Sequence, residues 1–593
     1  MQRRSSFKLA LAIVLAMPFT AAMAASTIVT DTGTFTGARS PSSSNVDVFY
    51  GIRYAAAPEG ALRWQPPQAP PMPAGTVRAS SPGAACPQSF STAPVAQSED
   101  CLFLNVWVPA KTLPGSKLPV FFWIHGGALI FGTGASYDPS VMVEDNNIIV
   151  VTINYRLGAL GWLVEPGLLT TTANSFQNVG DAGDYGLMDQ QFALQWVQRN
   201  IGGFGGDPTK VTMGGESAGG LSTSSNMVST VTASGLFRGA IIESGAYDLR
   251  SVPEEAVYED EFGANFDSAL GCSQPSDAAC LRAASVSSIL AAQASAFGSD
   301  GISPDFGTKV LPLGLSDAFA TGAFIHVPVL QGTNANEGRL FEPLVIPLAS
   351  NLSAVQAAGG PANYDLSHPN AFCASPQNTG TAAICTYPQE INLFFAAFDI
   401  PAEINSSVFD ALVADEYPLT SFPDPFLASD ASSSDEALSQ IFTDLVFACN
   451  GADSNQDLSA FVPVFGYEFN DPSAPPSPGF GTAVKPPNDV YGFPTASEHA
   501  SELQFLFNFE TALNKQEQQL ASEMKTYWGN FVNSLNPNMP IAPAAAWTEF
   551  NSTGAVQALV PGPGLPTSSV TFRQEHFCAT WEPVINAETG LLP

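Results

Sequence analysis

Basic side chains are scarce in this 593-residue sequence: 21 Lys and Arg stand against 54 Asp and Glu, for a formal net charge of -33. Binding nucleic acid requires clustered Lys and Arg that displace counterions from phosphates. No DNA or RNA partner is therefore expected, nor an anionic membrane surface. Histidine is scarcer still, at five residues, and neither a C-x-x-C nor an H-x-x-x-H spacing occurs. Both absences speak against a metal site, and neither a metal nor a cofactor is expected. No stretch has the roughly 20 apolar residues that span a bilayer as a helix, so stable membrane insertion is not expected either. What is plentiful is apolar: 45% hydrophobic residues and 41 Phe, enough for a large packed core and too much for a disordered chain. The acidic surface favours solubility and attracts cationic solutes weakly, an effect that salt screens.

The N-terminus carries Arg3, Arg4 and Lys8, then an apolar run from Leu9 to Phe19, then Ala22-Met23-Ala24. A charged segment, a short apolar segment and an A-x-A site read as a secretory signal peptide over residues 1–24, which makes the protein secreted or periplasmic. Export bears on the eight cysteines, because oxidising compartments let disulfides persist. Their spacing gives three local pairs and one distant pair: Cys86 with Cys101, Cys272 with Cys280, Cys373 with Cys385, and Cys449 with Cys578. N-x-S/T acceptors at Asn351, Asn405 and Asn551 matter only in a host that glycosylates.

Short β-branched and aromatic runs end in glycine-rich turns at Val120 to Ile124, Ile148 to Ile153, Val211 to Met213, Gly239 to Ile242 and Val327 to Leu330. These read as buried strands. Between them lie helical patterns, clearest from Leu187 to Ile201, where Ala193, Val197 and Ile201 form one row and Met188, Phe192 and Trp196 another. Such alternation implies an α/β fold with a central, mostly parallel sheet flanked by helices. The stretch from Glu502 to Leu535 also reads as helical. Glu342 to Asp430 and Asp471 to Pro487 are rich in Pro, Ser and Asn or Gly, and read as surface insertions.

The chemistry centres on Gly215-Glu216-Ser217-Ala218-Gly219, the one G-x-S-x-G in the chain. It follows a strand and precedes small residues able to start a helix. The glycines beside the serine answer a steric need, since a nucleophile elbow is a tight strand-to-helix turn. Alone the pattern is weak, because chance supplies roughly 0.2 to 0.4 copies in a chain of this length. Its context is stronger: Trp123-Ile124-His125-Gly126-Gly127-Ala128 closes an apolar strand some way upstream. Acyl transfer builds a negative oxygen, and backbone N–H groups reach it only where side chains are small.

With these motifs the chain resembles the type-B carboxylesterases, the cholinesterase-like branch of the α/β-hydrolase fold. The resemblance extends through Phe49-Tyr50-Gly51-Ile52-Arg53-Tyr54-Ala55, Glu99-Asp100-Cys101-Leu102-Phe103-Leu104-Asn105-Val106, Asn154-Tyr155-Arg156-Leu157-Gly158, Asn200 to Pro208, and Tyr527-Trp528 with Phe531. It spans nearly all of residues 25–593, which implies one catalytic domain. It also implies a Ser, Glu, His triad in chain order. Glu337, in Gly332-Thr333-Asn334-Ala335-Asn336-Glu337-Gly338, occupies the acid's place, although Asn336 stands where the family commonly has Asp. His499, in His499-Ala500-Ser501-Glu502-Leu503, occupies the base's place. His368 and His576 are then surface or structural, and His125 packs behind the oxyanion loop. The resemblance assigns the oxyanion hole to the N–H groups of Gly127, Ala128 and Ala218, with Gly126 shaping the loop. Ala128 replaces a common Gly, which is harmless if its φ is negative.

The expected activity is hydrolysis of small ester substrates with short to medium acyl chains through an acyl-enzyme. A non-catalytic adhesion module of the same fold would lack the nucleophile, which this chain has. A lipase would carry a lid between the first two cysteines, where only 14 residues intervene. That loop also has Phe90 and no Trp, which disfavours choline esters. Peptidase or amidase chemistry could use the same triad. Oligomeric state and the pocket residues are not legible in one chain.

Overall fold

The computed structural model describes residues 26–89, 94–246, 263–272, 278–296, 302–341, 391, 407–418, 421–422, 434–477, 497–562 and 566–585. The signal segment, His368, Phe90, Asn351, Asn405, and the Cys373 and Cys385 pair lie outside them. Fourteen strands occur among the described residues. The first seven are β1 (Thr27–Thr30), β2 (Gly33–Thr36), β3 (Ala38–Arg39), β4 (Val46–Arg53), β5 (Thr76–Arg78), β6 (Phe103–Pro109) and β7 (Leu118–Ile124). They are followed by β8 (Ile149–Ile153), β9 (Gly206–Glu216), β10 (Gly239–Glu243), β11 (Val329–Asn334), β12 (Val464–Phe469), β13 (Ala555–Leu559) and β14 (Pro566–Ser568).

β1, β2 and β5 form a small sheet, and the other eleven strands form one large sheet in the order β14-β13-β12-β11-β10-β9-β7-β8-β6-β4-β3. Its centre, from β8 through β7, β9, β10, β11 and β12 to β13, is parallel. Both margins are antiparallel. The central strands are continuous apolar runs because helices cover both faces. In β7 every residue from Leu118 to Ile124 is buried. Phe122 and Ile124 face one core cluster while Phe121 and Trp123 face the other, as the two-residue period of a strand demands. A third cluster, around Tyr417, Leu438, Phe442, Phe447 and Trp581, lies beside the acid-bearing end of the sheet.

The five expected strands are all present with shifted bounds: β9 runs past both ends of its apolar run, β10 gains Glu243, β7 starts two residues earlier at Leu118, β8 starts at Ile149, and β11 starts at Val329 and continues to Asn334. The helix Tyr185–Asn200 buries Met188, Ala193, Trp196 and Val197 as its two rows require. Two expectations need correction. The stretch from Glu502 to Leu535 is broken: helix Leu503–Leu506 ends at an extended Phe507, and helix Lys515–Ser534 starts afresh at Asn514. Asn514 accepts from the N–H groups of Gln516 and Glu517 while Glu517 reaches back to the Asn514 N–H, a capping box that fixes a new start. The start of the Pro-rich segment, Asp471 to Ser477, is only partly surface: Pro472 and Ser473 are exposed, but Asp471, Ala474 and Ser477 are buried. Its carbonyl and N–H groups are taken up by Ser497 and Glu498, on the loop that carries His499.

Three disulfides are formed, Cys86 to Cys101, Cys272 to Cys280 and Cys449 to Cys578. Among the described residues no helix is long and apolar enough to cross a membrane.

Candidate active site

Four neighbouring parallel strands, β7, β9, β10 and β11, deliver the glycine loop, Ser217, Ser244 and Glu337 from their carboxyl ends, where an open α/β sheet offers its crevice, and His499 comes from the loop before helix Leu503–Leu506. β9 ends at Glu216, and Ser217 follows with φ 57° and ψ -127° before helix Ala218–Val228 begins. That is a costly conformation for a residue with a Cβ. It is held by the Ser217 N–H donating to the Glu243 carbonyl (2.8 Å) and by the Ser217 carbonyl accepting from Leu221 N–H (2.9 Å). The flanking glycines are there for space. A Cβ on Gly219 would stand 2.1 Å from the Ile124 carbonyl oxygen, and one on Gly215 2.4 Å from it. The elbow thus presses directly on the end of β7, where the oxyanion loop starts.

That loop is equally tight. A Cβ on Gly126 would meet the Glu216 carbonyl at 2.7 Å and the Ser217 Cβ at 3.0 Å. Gly127 has φ 107°, and Ala128 has φ 50°. The condition for a harmless alanine, a negative φ, is therefore not met: the chain turns left-handed through Ala128 and Leu129, where glycine is the cheaper residue. Among the described residues nothing accepts from the N–H of Gly127 or Ala128. His125 is buried under the loop, stacked on Tyr155 with ring centroids 4.5 Å apart, and its Nδ1–H donates to the Gly126 carbonyl (2.8 Å). Burial pulls its pKa down to about 4, against a smaller upward pull from that bond, so the ring is a neutral prop.

The sequence motifs around the loop serve as its scaffold. Asn154 accepts from Thr133 Oγ and Gly134 N–H, and donates to the carbonyls of Ala84 and Cys101. Arg156 grips the buried Asp189 with two nitrogens, at 2.7 and 2.8 Å. Glu99 takes a two-point bond from Arg63, and Asp100 one from Arg53.

The structure brings Glu337 and His499 together. Glu337, fully buried after β11, accepts at Oε1 from Ser244 Oγ (2.6 Å) and the Asn334 N–H (2.7 Å), and at Oε2 from His499 Nδ1 (2.6 Å). Three converging donors are what a buried carboxylate anion requires. Nε2 of His499 then carries the free lone pair, and it has no hydrogen-bond partner among the described residues. Glu216 Oε1 is 3.1 Å from it, yet both atoms lack a hydrogen-bond partner; we take this as proximity without bonding alignment. The rings of Phe341 and Phe447 pack on His499 at 4.8 and 5.0 Å.

Sequence reasoning missed the acids around this pair. Glu216, Glu243 and Glu502 are all buried. Burial first, then the charges of Glu502, Glu337 and Glu243, pushes Glu216 well above the usual carboxylate range. Burial and Glu502 do the same to Glu243, opposed by a bond from Trp528 Nε1. Glu502 is pushed up to about 8 by burial and then by Glu337, opposed by a bond from the Asn334 side chain. All three are thereby pushed toward their uncharged form, so Glu216 meets Nε2 at 3.1 Å with its negative charge disfavoured. Only Glu216 and Glu502 lay inside motifs already singled out, and nothing in their spacing signals burial. Among the described residues no group of His, Cys, Asp and Glu has the arrangement of a metal site. His576 lies elsewhere, between Asp444 and Glu468. The Asn551 side-chain amide is engaged by the carbonyls of Ser459 and Val462 and by the Val464 N–H.

A model of the carboxylesterase family matches residues 24–561. A pyrethroid hydrolase of Rattus norvegicus is 30% identical over 531 residues, covering 84% of this chain and 80% of that one. A secreted triacylglycerol lipase of Gibberella zeae is 30% identical over 572 residues, covering 89% and 85%. The solved structure of a Geobacillus stearothermophilus carboxylesterase is 25% identical with a TM-score of 0.68, covering 94% of this chain and 100% of that one. With its strained turn at Ser217, its tight glycine loop after β7 and these likenesses, the chain belongs to the carboxylesterase family and is an enzyme of the α/β-hydrolase fold.

Proposed function

We propose that this protein hydrolyses small carboxylic esters through an acyl-enzyme on Ser217, with His499 as general base and acid and Glu337 as the group that orients it. What supports the reading above all is the Glu337 to His499 bond, with His499 Nε2 3.1 Å from the side chain of Glu216, the residue before a serine whose own backbone is strained into an elbow. Because Nδ1–H is donated to Glu337, Nε2 is the nitrogen free to take the Ser217 proton as the oxygen attacks the ester carbonyl. The carbonyl oxygen becomes an oxyanion within reach of the N–H groups of Gly127, Ala128 and Ala218. His499 returns the proton to the leaving alcohol. Water, deprotonated by the same nitrogen, then releases the acid. The missing bond between Ser217 and His499 is no obstacle, since catalytic hydrogen bonds often close only around substrate.

Residues 25–593 form the single catalytic domain in this reading, after a cleaved signal peptide at residues 1–24. Three disulfides fit an oxidising compartment, and the Gibberella relative is named as secreted. Short to medium acyl chains are the expected substrates. A chain-length series of p-nitrophenyl esters, run with wild type and Ser217→Ala, tests this. Serine-dependent turnover peaking at short or medium chains is expected; equal rates in the two proteins would place the nucleophile elsewhere. A peak at long chains with activity on emulsified triglyceride would move the reading to a lipase.

A further inference from the structure

We propose that His576 is a positioning residue for the catalytic imidazole, acting through the buried π-helical turn Thr443–Ala448. The inference rests on the triad reading above. The turn joins helix Ser434–Phe442 to helix Cys449–Ser459, and all six of its residues are buried. Such turns are rare and concentrate at functional sites, because an extra residue per turn re-aims side chains.

One side of the turn faces the triad. Phe447 packs on the His499 ring at 5.0 Å and Phe341, which also packs on His499, at 5.7 Å. Thr443 Oγ accepts from the N–H of Gly338, the residue after Glu337 (3.0 Å), and donates to the Ser439 carbonyl (3.0 Å). A Cβ on Gly338 would stand 2.0 Å from that carbonyl oxygen, so the acid loop lies backbone against backbone on this helix. Movement of the turn would carry both the acid loop and the ring that backs the base.

The other side is gripped by His576. Nδ1 donates to Asp444 Oδ1 (2.5 Å) and Nε2 to Glu468 Oε1 (2.9 Å). Asp444 lies in the turn, one residue from Thr443. Glu468 lies on β12, opposite Thr333 of β11, the strand that leads to Glu337. The imidazole therefore ties the turn to the sheet that carries the acid. Two acceptors on two ring nitrogens make it an imidazolium. Burial lowers its pKa, but the charge and bond of Asp444, then those of Glu468, outweigh burial and hold it at about 10. The Tyr417 hydroxyl and Gln440 amide complete the grip on Asp444. The nearest other cation on the His576 helix, Arg573, is occupied by Asp453 and Glu582. The Cys449 to Cys578 disulfide already staples this junction covalently, so the ion triad is not needed merely to hold the C-terminal helices. Its distinct contribution is to set where the turn sits.

The test compares His576→Gln, which keeps a donor and loses the charge, with Arg573→Gln, which breaks ion pairs on the same helix without touching the triad. Expected for His576→Gln is a fall in kcat on the order of 10- to 100-fold with KM within about twofold, as for a small misplacement of a catalytic group. The acid limb of its kcat/KM pH profile should shift as well. Arg573→Gln should lower thermal stability only modestly, its ion pairs being partly exposed, while keeping kcat and that limb. If His576→Gln does not fold, Asp444→Asn carries the same prediction. Wild-type kcat and pH profile in the folded variant, or an equal kcat loss in Arg573→Gln, overturns the proposal. Ser217→Ala, run alongside, separates the two failures: activity surviving there sinks the triad reading, whereas a dead Ser217→Ala with a normal His576→Gln sinks only the positioning role.

Discussion

Glu502→Gln is the sharpest probe of the buried acids around the triad. Glu502 is fully buried, and its pKa is pushed up to about 8 from an ordinary 4.5. A folded-state value above the unfolded one means that folding favours the protonated acid. Its contribution to stability is full below about 4.5, declines as pH rises, and is lost through pH 8. Inside that window one such proton changes stability by about 1.4 kcal/mol per pH unit. Between pH 6 and 7.5 the wild type should lose up to about 2 kcal/mol on this account. Glutamine has the shape of the protonated acid and no proton to lose, so the variant should lose none of it. At about 2.1 cal/mol/K per residue, unfolding a chain of this size carries an entropy near 1.2 kcal/mol/K, and the difference amounts to about 2 °C in Tm. The assay is thermal unfolding of both proteins at one scan rate across pH 5 to 8.5, read as variant minus wild type so that groups distant from Glu502 cancel and the difference reports Glu502 with its electrostatic neighbours Glu216 and Glu243. A difference rising toward alkaline pH supports the protonated cluster. Parallel Tm curves refute it and mean that Glu502 is ionised in the folded protein at neutral pH.

Two further outcomes follow from the oxyanion loop. Gly126→Ala would push a methyl into the Glu216 carbonyl and the Ser217 Cβ; kcat should fall by roughly 100-fold with circular dichroism unchanged, and wild-type kinetics would show that the loop gives way freely. Ala128→Gly relieves a φ of 50° and should raise stability by up to about 1 kcal/mol. A clear loss of stability there would mean that the alanine methyl contributes more by packing than its backbone loses.

Much of the site was legible because the chemistry leaves local marks. The elbow at Ser217 and the loop at Gly126 to Ala128 need small residues at fixed offsets, and steric demands of that kind show in a sequence. Five of the seven central strands, β7 to β11, declared themselves as apolar runs, since a strand covered on both faces has no polar side to interrupt it; β12 and β13 did not, being broken by Gly466 and Glu468 and by Gln557. Nor did the antiparallel margins: β3 and β14 are two and three residues long, and the buried polar residues Asp47 in β4 and Asn105 in β6 interrupt their apolar runs. The break at residues 507–514 was hidden as well: the surrounding residues are good helix formers, and the decision lay in the capping box of Asn514 and Glu517.

By itself the sequence determined which residue types stand at the ends of which strands, and with them the family and the candidate nucleophile. Its shortage of basic groups is also the ground for expecting no nucleic-acid partner. Only the tertiary structure decided which acids meet. Glu216, Glu243, Glu337 and Glu502 come from segments up to 286 positions apart and converge because β9, β10 and β11 are neighbours in the sheet and Asn334, at the end of β11, bonds Glu502. Burial in that shared space raises the pKa of Glu216, Glu243 and Glu502, while Glu337, with three donors, holds His499. The same holds for the left-handed turn at Ala128 and for His576 between Asp444 and Glu468. Conformation and desolvation depend on what surrounds a residue in space, and residue order alone does not encode distance between loops.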